Sequence, residues 1–274
     1  MRQVELHHGA ATDVGRVREV NEDAYLAAPP VYVVADGMGG HEGGDVASAI
    51  AVEELGRMAE AGYDPGHGRE AVAGALEEAQ RRILEYADEQ TRHGVDRRRS
   101  AGTTVVAALL VDEGSGPAWL LANLGDSRVY RFRDGRLDQV STDHSLVQEL
   151  VDRGRIAPEE VATHPERNVI TRALGDDGGV AADYFVVPLA QAERILLCTD
   201  GVSGMLDDPT MATILAAATD PRDAADRLVA AAVVAGGEDN ATAIVVDVVG
   251  TVADGGYDAE RQRASLEEKL GGPR

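Results

Sequence analysis

Val31-Tyr32-Val33-Val34-Ala35-Asp36-Gly37 is an apolar run that stops on a carboxylate followed by glycine. The run has strand length and β-branched character, and Asp-Gly is a turn signal. The pattern recurs along the chain: Trp119 to Leu124 leads into Gly125-Asp126, and Arg194 to Thr199 leads into Asp200-Gly201. In a reversed case, Glu238-Asp239-Asn240 stands just before the run Ala241 to Val249. Thr103 to Val111 and Val129 to Phe132 are further strand-length runs. Asp134-Gly135, between Val129 to Arg133 and Arg136 to Val140, predicts an antiparallel hairpin, because a primed turn wants positive φ at both central residues.

Helical patterns lie at roughly Asp45 to Ala61, Arg69 to Gln90, Ser145 to Arg153, Met211 to Ala218 and Asp223 to Val234. Strands and helices are interleaved without strict alternation, which predicts an α+β layered domain rather than a doubly wound parallel sheet. No internal repeat or low-complexity linker divides the chain, so residues 1–250 are read as one domain and 251–274 as a charged tail.

Hydrophobic residues make up 44% of the 274, enough to bury a substantial core. The 26 basic residues against 48 acidic ones leave a formal net charge of -22. Such a surface repels nucleic-acid phosphates and anionic lipid headgroups, so neither partner is expected. Cys198 is the one cysteine, set in the apolar run Ile195 to Cys198, where it reads as a small buried hydrophobe. The start, Met1 to His8, lacks the apolar core of a secretory leader, and a cytoplasmic monomer is expected.

One Asp-Gly is by itself no more than a turn. Several carboxylates gathered where strands end are different, because they repel one another in a low-dielectric cleft unless a cation compensates them. Magnesium and manganese take carboxylate, carbonyl and water oxygens, whereas zinc favours Cys or closely spaced His. The seven histidines show no ligand-pair spacing, and no twelve-residue calcium loop is present. An oxygen-ligand, water-rich site is the expectation. Thr12 to Asp23 adds arginines able to grip a phosphate bidentately.

Taken in order, several blocks resemble the metal-dependent serine/threonine protein phosphatases of type 2C (the PPM type) in bacterial form. They are Arg18 to Asp23, Val34-Ala35-Asp36-Gly37-Met38-Gly39-Gly40-His41, Ser100-Ala101-Gly102-Thr103-Thr104 and Gly125-Asp126-Ser127-Arg128. Thr142-Asp143-His144-Ser145, Thr171 to Gly175, Cys198-Thr199-Asp200-Gly201-Val202 and Glu238-Asp239-Asn240-Ala241-Thr242 follow. The resemblance runs from about Thr12 to Val249.

It implies a four-layer α-β-β-α sandwich of two antiparallel sheets flanked by helices, with two divalent metals, Mn or Mg, at one edge. By the same resemblance Asp36 bridges both ions, the Gly37 carbonyl binds one, and Asp200 and Asp239 complete the other. Glu22 acts mainly through coordinated water, Asp23 orders that shell, Asp126 holds a weaker third metal, and Arg18 takes the substrate phosphate. Residues 145–168 match a mobile flap. The reaction implied is direct attack of a metal-activated water on phosphoserine or phosphothreonine, with no phosphoenzyme; Ser127 and Cys198 are not expected nucleophiles.

Met38 stands where eukaryotic relatives carry a histidine, which leaves His41 or a metal-coordinated water to protonate the leaving group. His144 is expected to make a structural hydrogen bond, and Arg97-Arg98-Arg99 to be a solvated loop. Phosphoproteins modified by a bacterial serine/threonine kinase are the expected substrates. A catalytically silent phosphoprotein-binding scaffold and a partner-switching regulator are the competing readings; the presence of Asp36, Asp200, Asp239 and Arg18 favours the enzyme.

Overall fold

In a computed structural model of the chain, which describes residues 3–39, 43–93, 101–112, 114 and 116–252, Val31–Ala35 is a strand buried along its whole length. Its side chains alternate between two cores, as the two-residue period of a strand requires. Val31, Val33 and Ala35 pack with Ile50, Leu55, Leu76 and Ile83 of two helices, while Tyr32 and Val34 pack with Trp119, Leu197, Ile244 and Val246. A strand covered on both faces can be apolar at every position, which is why this run carries no polar alternation.

In chain order the strands are β1 (Gln3–Asp13), β2 (Ala24–Ala28), β3 (Val31–Ala35), β4 (Gly37–Met38), β5 (Gly102–Thr103) and β6 (Val105–Val111). There follow β7 (Ala118–Leu124), β8 (Arg128–Arg133), β9 (Arg136–Gln139), β10 (Asp183–Pro188), β11 (Arg194–Cys198) and β12 (Ala241–Val252). The helices are α1 (Gly44–Ala61), α2 (Gly68–Arg92), α3 (Leu146–Asp152), α4 (Asp200–Ser203), α5 (Asp208–Ala217) and α6 (Pro221–Ala235).

One five-stranded sheet has the order β1-β12-β11-β8-β9, and the other β10-β7-β6-β3-β2, with every pair antiparallel. Helices α1 and α2 cover the outer face of the second sheet. On the outer face of the first, Leu196, Cys198, Ala243 and Val245 pack with Met211 and Leu215 of α5 and Leu228 of α6. The four-layer α+β sandwich expected from the sequence is the fold found. At the β8–β9 hairpin Asp134 and Gly135 have φ of 51° and 76°, as a primed turn needs.

The structure departs from the sequence reading in two ways. Thr103 to Val111 is two strands, because Thr104 leaves the ladder to bond Asp36. β1, β2 and β10 were not anticipated; each is a sheet edge, with the mixed burial that an edge allows. His41, Arg97-Arg98-Arg99 and most of the 251–274 tail lie outside the described residues. Among the described residues no helix is long and apolar enough to cross a membrane.

Arg194 ties the first sheet to α5. It donates to both Asp247 carboxylate oxygens at 2.6 and 2.8 Å, and to the carbonyls of Leu215 and Ala218 at 2.5 and 3.0 Å. Those carbonyls are among the last acceptors of α5, which have no partner within the helix. Arg194→Leu leaves Asp247 and the helix end unpaired, so chemical denaturation should show a loss of about 3–5 kcal/mol.

Candidate metal centre

The strand-end carboxylates converge on one edge of the sandwich. Asp36 follows β3, Asp126 lies in the turn between β7 and β8, Asp200 opens α4 after β11, and Asp239 precedes β12. The Asp36 backbone is clamped from both sides. Its carbonyl accepts from Thr104 N–H at 2.9 Å and the Thr103 hydroxyl at 2.9 Å, and its N–H donates to Thr104 Oγ1 at 3.1 Å. Thr104 Oγ1 in turn lies 2.7 Å from Ser127 Oγ, so Ser127 braces the loop that carries Asp126. Gly37 is packed backbone against backbone: a Cβ there would sit 2.3 Å from the Gly44 carbonyl oxygen and 2.5 Å from that of Glu22.

The electrostatics follow from burial and from like charge. Desolvation, then Asp23, Asp200, Asp126 and Asp239, hold the Asp36 carboxyl well above the usual carboxylate range. Burial and then Asp239 raise Asp200, which a hydrogen bond with Asp36 partly offsets. Burial pushes Asp23 up to about 7 against the hydroxyls of Thr242 and Thr199, with Asp200 and Asp239 adding to the rise. Asp126 is likewise pushed up to about 7, by burial and then by Asp200 and Asp143.

Three carboxylate oxygens, Asp23 Oδ1, Asp126 Oδ1 and Asp200 Oδ1, are buried without a hydrogen-bond partner. Buried acceptors in that condition cost free energy unless something donates to them or a cation binds them. The donors are all oxygens, which suits a hard divalent ion. Among the described residues no three His, Cys, Asp or Glu side chains close on one point as a cage, so an ion here would complete its shell with backbone oxygen and water. Soft or imidazole ligation has no support, since the Cys198 thiol is buried and pushed up to about 12, and His144 is committed elsewhere.

The N-terminal segment is stitched to this edge by Asn240, a residue that sequence reasoning placed in a motif without a role. Its Oδ1 accepts from Glu22 N–H at 2.8 Å, and its Nδ2 donates to the carbonyls of Val14 and Val20 at 2.9 and 3.0 Å. Arg18 Nη2 thereby reaches Asp239 Oδ2 at 2.7 Å. Burial alone would lower the Arg18 guanidinium, but Asp239, Glu22 and Asp36 reverse this and raise it. Burial, then Asp45, raise the Glu22 carboxyl, against the pull of Arg18 and the Gly44 N–H.

A cavity of about 340 Å³ opens beside these groups, with Asp126, Asp200 and Asp239 on one wall and Val147, Val161 and Arg167 on the other. The second wall is the 145–168 segment. The structure thus brings Arg18, Glu22, Asp23, Asp36, Gly37, Asp126, Asp200 and Asp239 to one region. His41 is not among the described residues.

A family model described as Protein phosphatase 2C matches residues 16–232. The chain belongs to the protein phosphatase 2C family. Serine/threonine phosphatase stp of Listeria welshimeri is 36% identical over 251 residues, which is 88% of this chain and 96% of that protein. The crystal structure of the Mycobacterium tuberculosis serine/threonine phosphatase PstP/Ppp matches with a TM-score of 0.77 at 35% identity, over 90% of this chain and 99% of that one. The PstP catalytic domain in complex with two manganese ions matches with a TM-score of 0.75 at 33% identity, over 90% of this chain and 100% of that one.

The raised carboxyls of this 2C-family cleft make stability depend on pH. A group with a native pKa above its unfolded value holds its proton longer when folded, so its contribution falls as pH rises between the two values. For Asp23 and Asp126 that window runs from 3.8 to about 7. Melting in chelator should therefore fall across this range relative to Asp23→Asn, and added manganese should raise the melting temperature most at its upper end. A difference between the two proteins that stays flat with pH would contradict this.

Proposed function

We propose that this cleft hydrolyses phosphoserine and phosphothreonine monoesters on other proteins by direct attack of water, with no covalent phosphoenzyme. The chain is a serine/threonine protein phosphatase of the 2C family. The observation that carries the site assignment is the convergence of strand-end carboxylates from both sheets with partnerless buried oxygens. A silent scaffold has no need to keep that strain.

Two divalent ions, Mn or Mg, would be held by Asp36, the Gly37 carbonyl, Asp200 and Asp239, with Glu22 and Asp23 acting through water and Asp126 at a weaker third position. When bound, such ions acidify a water, neutralise phosphate oxygens and hold nucleophile and phosphorus in line. The protein's own groups do the rest. Asp36 is fixed by Thr103 and Thr104, so its carboxylate is preorganised. Arg18 offers its planar fork to two phosphate oxygens, sharing its charge between the substrate and Asp239.

Neither protein nucleophile is available. Ser127 is hydrogen-bonded to Thr104, and the buried Cys198 thiol, with its pKa near 12, stays protonated at neutral pH. We assign the leaving-group proton to His41 or to water. The 145–168 segment, as one wall of the cavity, would shape access for the peptide around the phosphorylated residue. Residues 1–250 are proposed as the catalytic unit, acting in the cytoplasm on proteins phosphorylated by a bacterial serine/threonine kinase.

Phosphate release from a phosphothreonine peptide should require manganese and vanish in chelator. Asp36→Asn and Asp239→Asn should each cost more than about a hundredfold, the upper end of what losing even an outer partner of a metal costs. With a phosphoryl group made chiral by oxygen isotopes, hydrolysis should invert configuration at phosphorus, as one in-line attack by water requires; retention would show a phosphoenzyme. Full activity in chelator would reject the assignment.

A further inference from the structure

Asp23 sits at the focus of a one-way hydrogen-bond circuit. Its own N–H donates to Asn21 Oδ1 at 3.2 Å, which settles the amide's orientation and turns Nδ2 toward Thr12 Oγ1 at 2.9 Å. Thr12 Oγ1 lies 2.8 Å from Thr242 Oγ1, its cross-strand partner between β1 and β12. Thr242 spends its only hydroxyl proton on Asp23 Oδ2 at 2.6 Å, so Thr12 must be the donor in that contact. A second branch reaches the same atom: Thr242 N–H donates to Thr199 Oγ1 at 3.0 Å, and the Thr199 hydroxyl donates to Asp23 Oδ2 at 3.0 Å.

Every donor in both branches ends on Oδ2. Oδ1 is buried and has none. Both donors to Oδ2 stand beside the cleft acids, Thr199 next to Asp200 and Thr242 at the start of β12 after Asp239, so the scaffold holds Oδ2 and leaves Oδ1 unpaired. A carboxyl needed only for packing gains nothing from this division, because one more donor on Oδ1 would satisfy it. An oxygen that must accept from the water shell of an ion needs it.

Resting on the dinuclear reading above, we propose that Thr12, Thr199 and Thr242 are positioning residues for the metal centre, locking Asp23 through Oδ2 so that Oδ1 alone faces the water around the ions. Each hydroxyl acts through Asp23 and touches neither ion nor substrate. The circuit also explains why β1 matters to the cleft: Thr12, near its end, links Asn21 to Thr242, which lies 230 positions away in sequence.

The test is calorimetric titration of manganese into chelator-stripped protein, without substrate, for Thr242→Val, Thr242→Ser, Thr12→Val and Asp36→Asn. Thr242→Val should weaken manganese binding at least about tenfold. Thr242→Ser, which keeps the hydroxyl, should restore most of it, and Thr12→Val should give a smaller loss in the same direction. In chelator each variant should still melt in one cooperative transition above the temperature of the titration, so that a loss of manganese affinity reports on the centre and not on unfolding. If Thr242→Val does not fold, Thr12→Val decides: wild-type binding there overturns the proposal. Wild-type binding by both threonine variants, with binding lost in Asp36→Asn, overturns the proposal alone. Wild-type binding by Asp36→Asn as well overturns the dinuclear reading and the proposal with it.

Discussion

Mutual repulsion among Asp23, Asp36, Asp126, Asp200 and Asp239 is the force that the surrounding structure has to contain. Two unit charges about 4 Å apart at the effective dielectric of a protein surface repel by about 4 kcal/mol, and a whole domain is stable by only about 5–15 kcal/mol. The strain cannot be relieved by spreading the loops, because each is pinned by its backbone. Thr103 and Thr104 hold Asp36. Gly201, next to Asp200, leaves so little room that a Cβ would lie 1.8 Å from the Asn240 carbonyl oxygen. Protons or divalent cations are then the means of neutralisation left, and at neutral pH an ion does so without surrendering the charge that phosphate chemistry uses.

The sandwich makes that confinement affordable. Each sheet is apolar on both faces, so three separate cores bear on the strands whose ends carry the acids. β3 is locked between α1 and the facing sheet, and β11 between α5 and the other side of the same inner core. Asn240 completes the arrangement by binding the N-terminal segment across the edge, which brings Arg18, Glu22 and Asp23 to the region of Asp239, more than two hundred residues away in sequence.

Burial on both faces is also what made this fold readable. β3, β6, β7 and β11 stand out as apolar runs because each is buried along its whole length, and β12 stands out through its buried first half, Ala241 to Val246. β1, β2 and β10 do not stand out, since an edge tolerates residues such as His7 and Asp183. The acids were legible for a local reason, an apolar run ending on Asp beside Gly. The groups that hold them were not: Thr12 with Thr242, Asn240 with Val14, and Arg18 with Asp239 are pairings that only the folded chain creates. Thr199 was read as the last residue of a strand, which it nearly is, and its hydroxyl bond to Asp23 leaves no trace in hydropathy.

His144 shows how far the chemistry of one ring can be settled by its neighbours. Gly125 N–H donates to its Nδ1 at 3.1 Å, so Nδ1 is an acceptor and the remaining proton of the neutral ring is on Nε2, facing Asp183 Oδ2 at 3.2 Å. Arg172 Nη1, also 3.2 Å from Nε2, is then a second donor drawn there by Asp183 rather than a partner of the ring. Burial lowers the imidazole pKa, which favours this neutral form. The backbone of His144 bonds Gly125 and Thr171, and Leu146 N–H bonds the Val169 carbonyl, so both ends of the groove wall meet at this residue. Protonating Nδ1 would break the bond to Gly125, the residue before Asp126. The ring that fastens the groove wall to a carboxylate loop is thereby withdrawn from proton transfer to the leaving group.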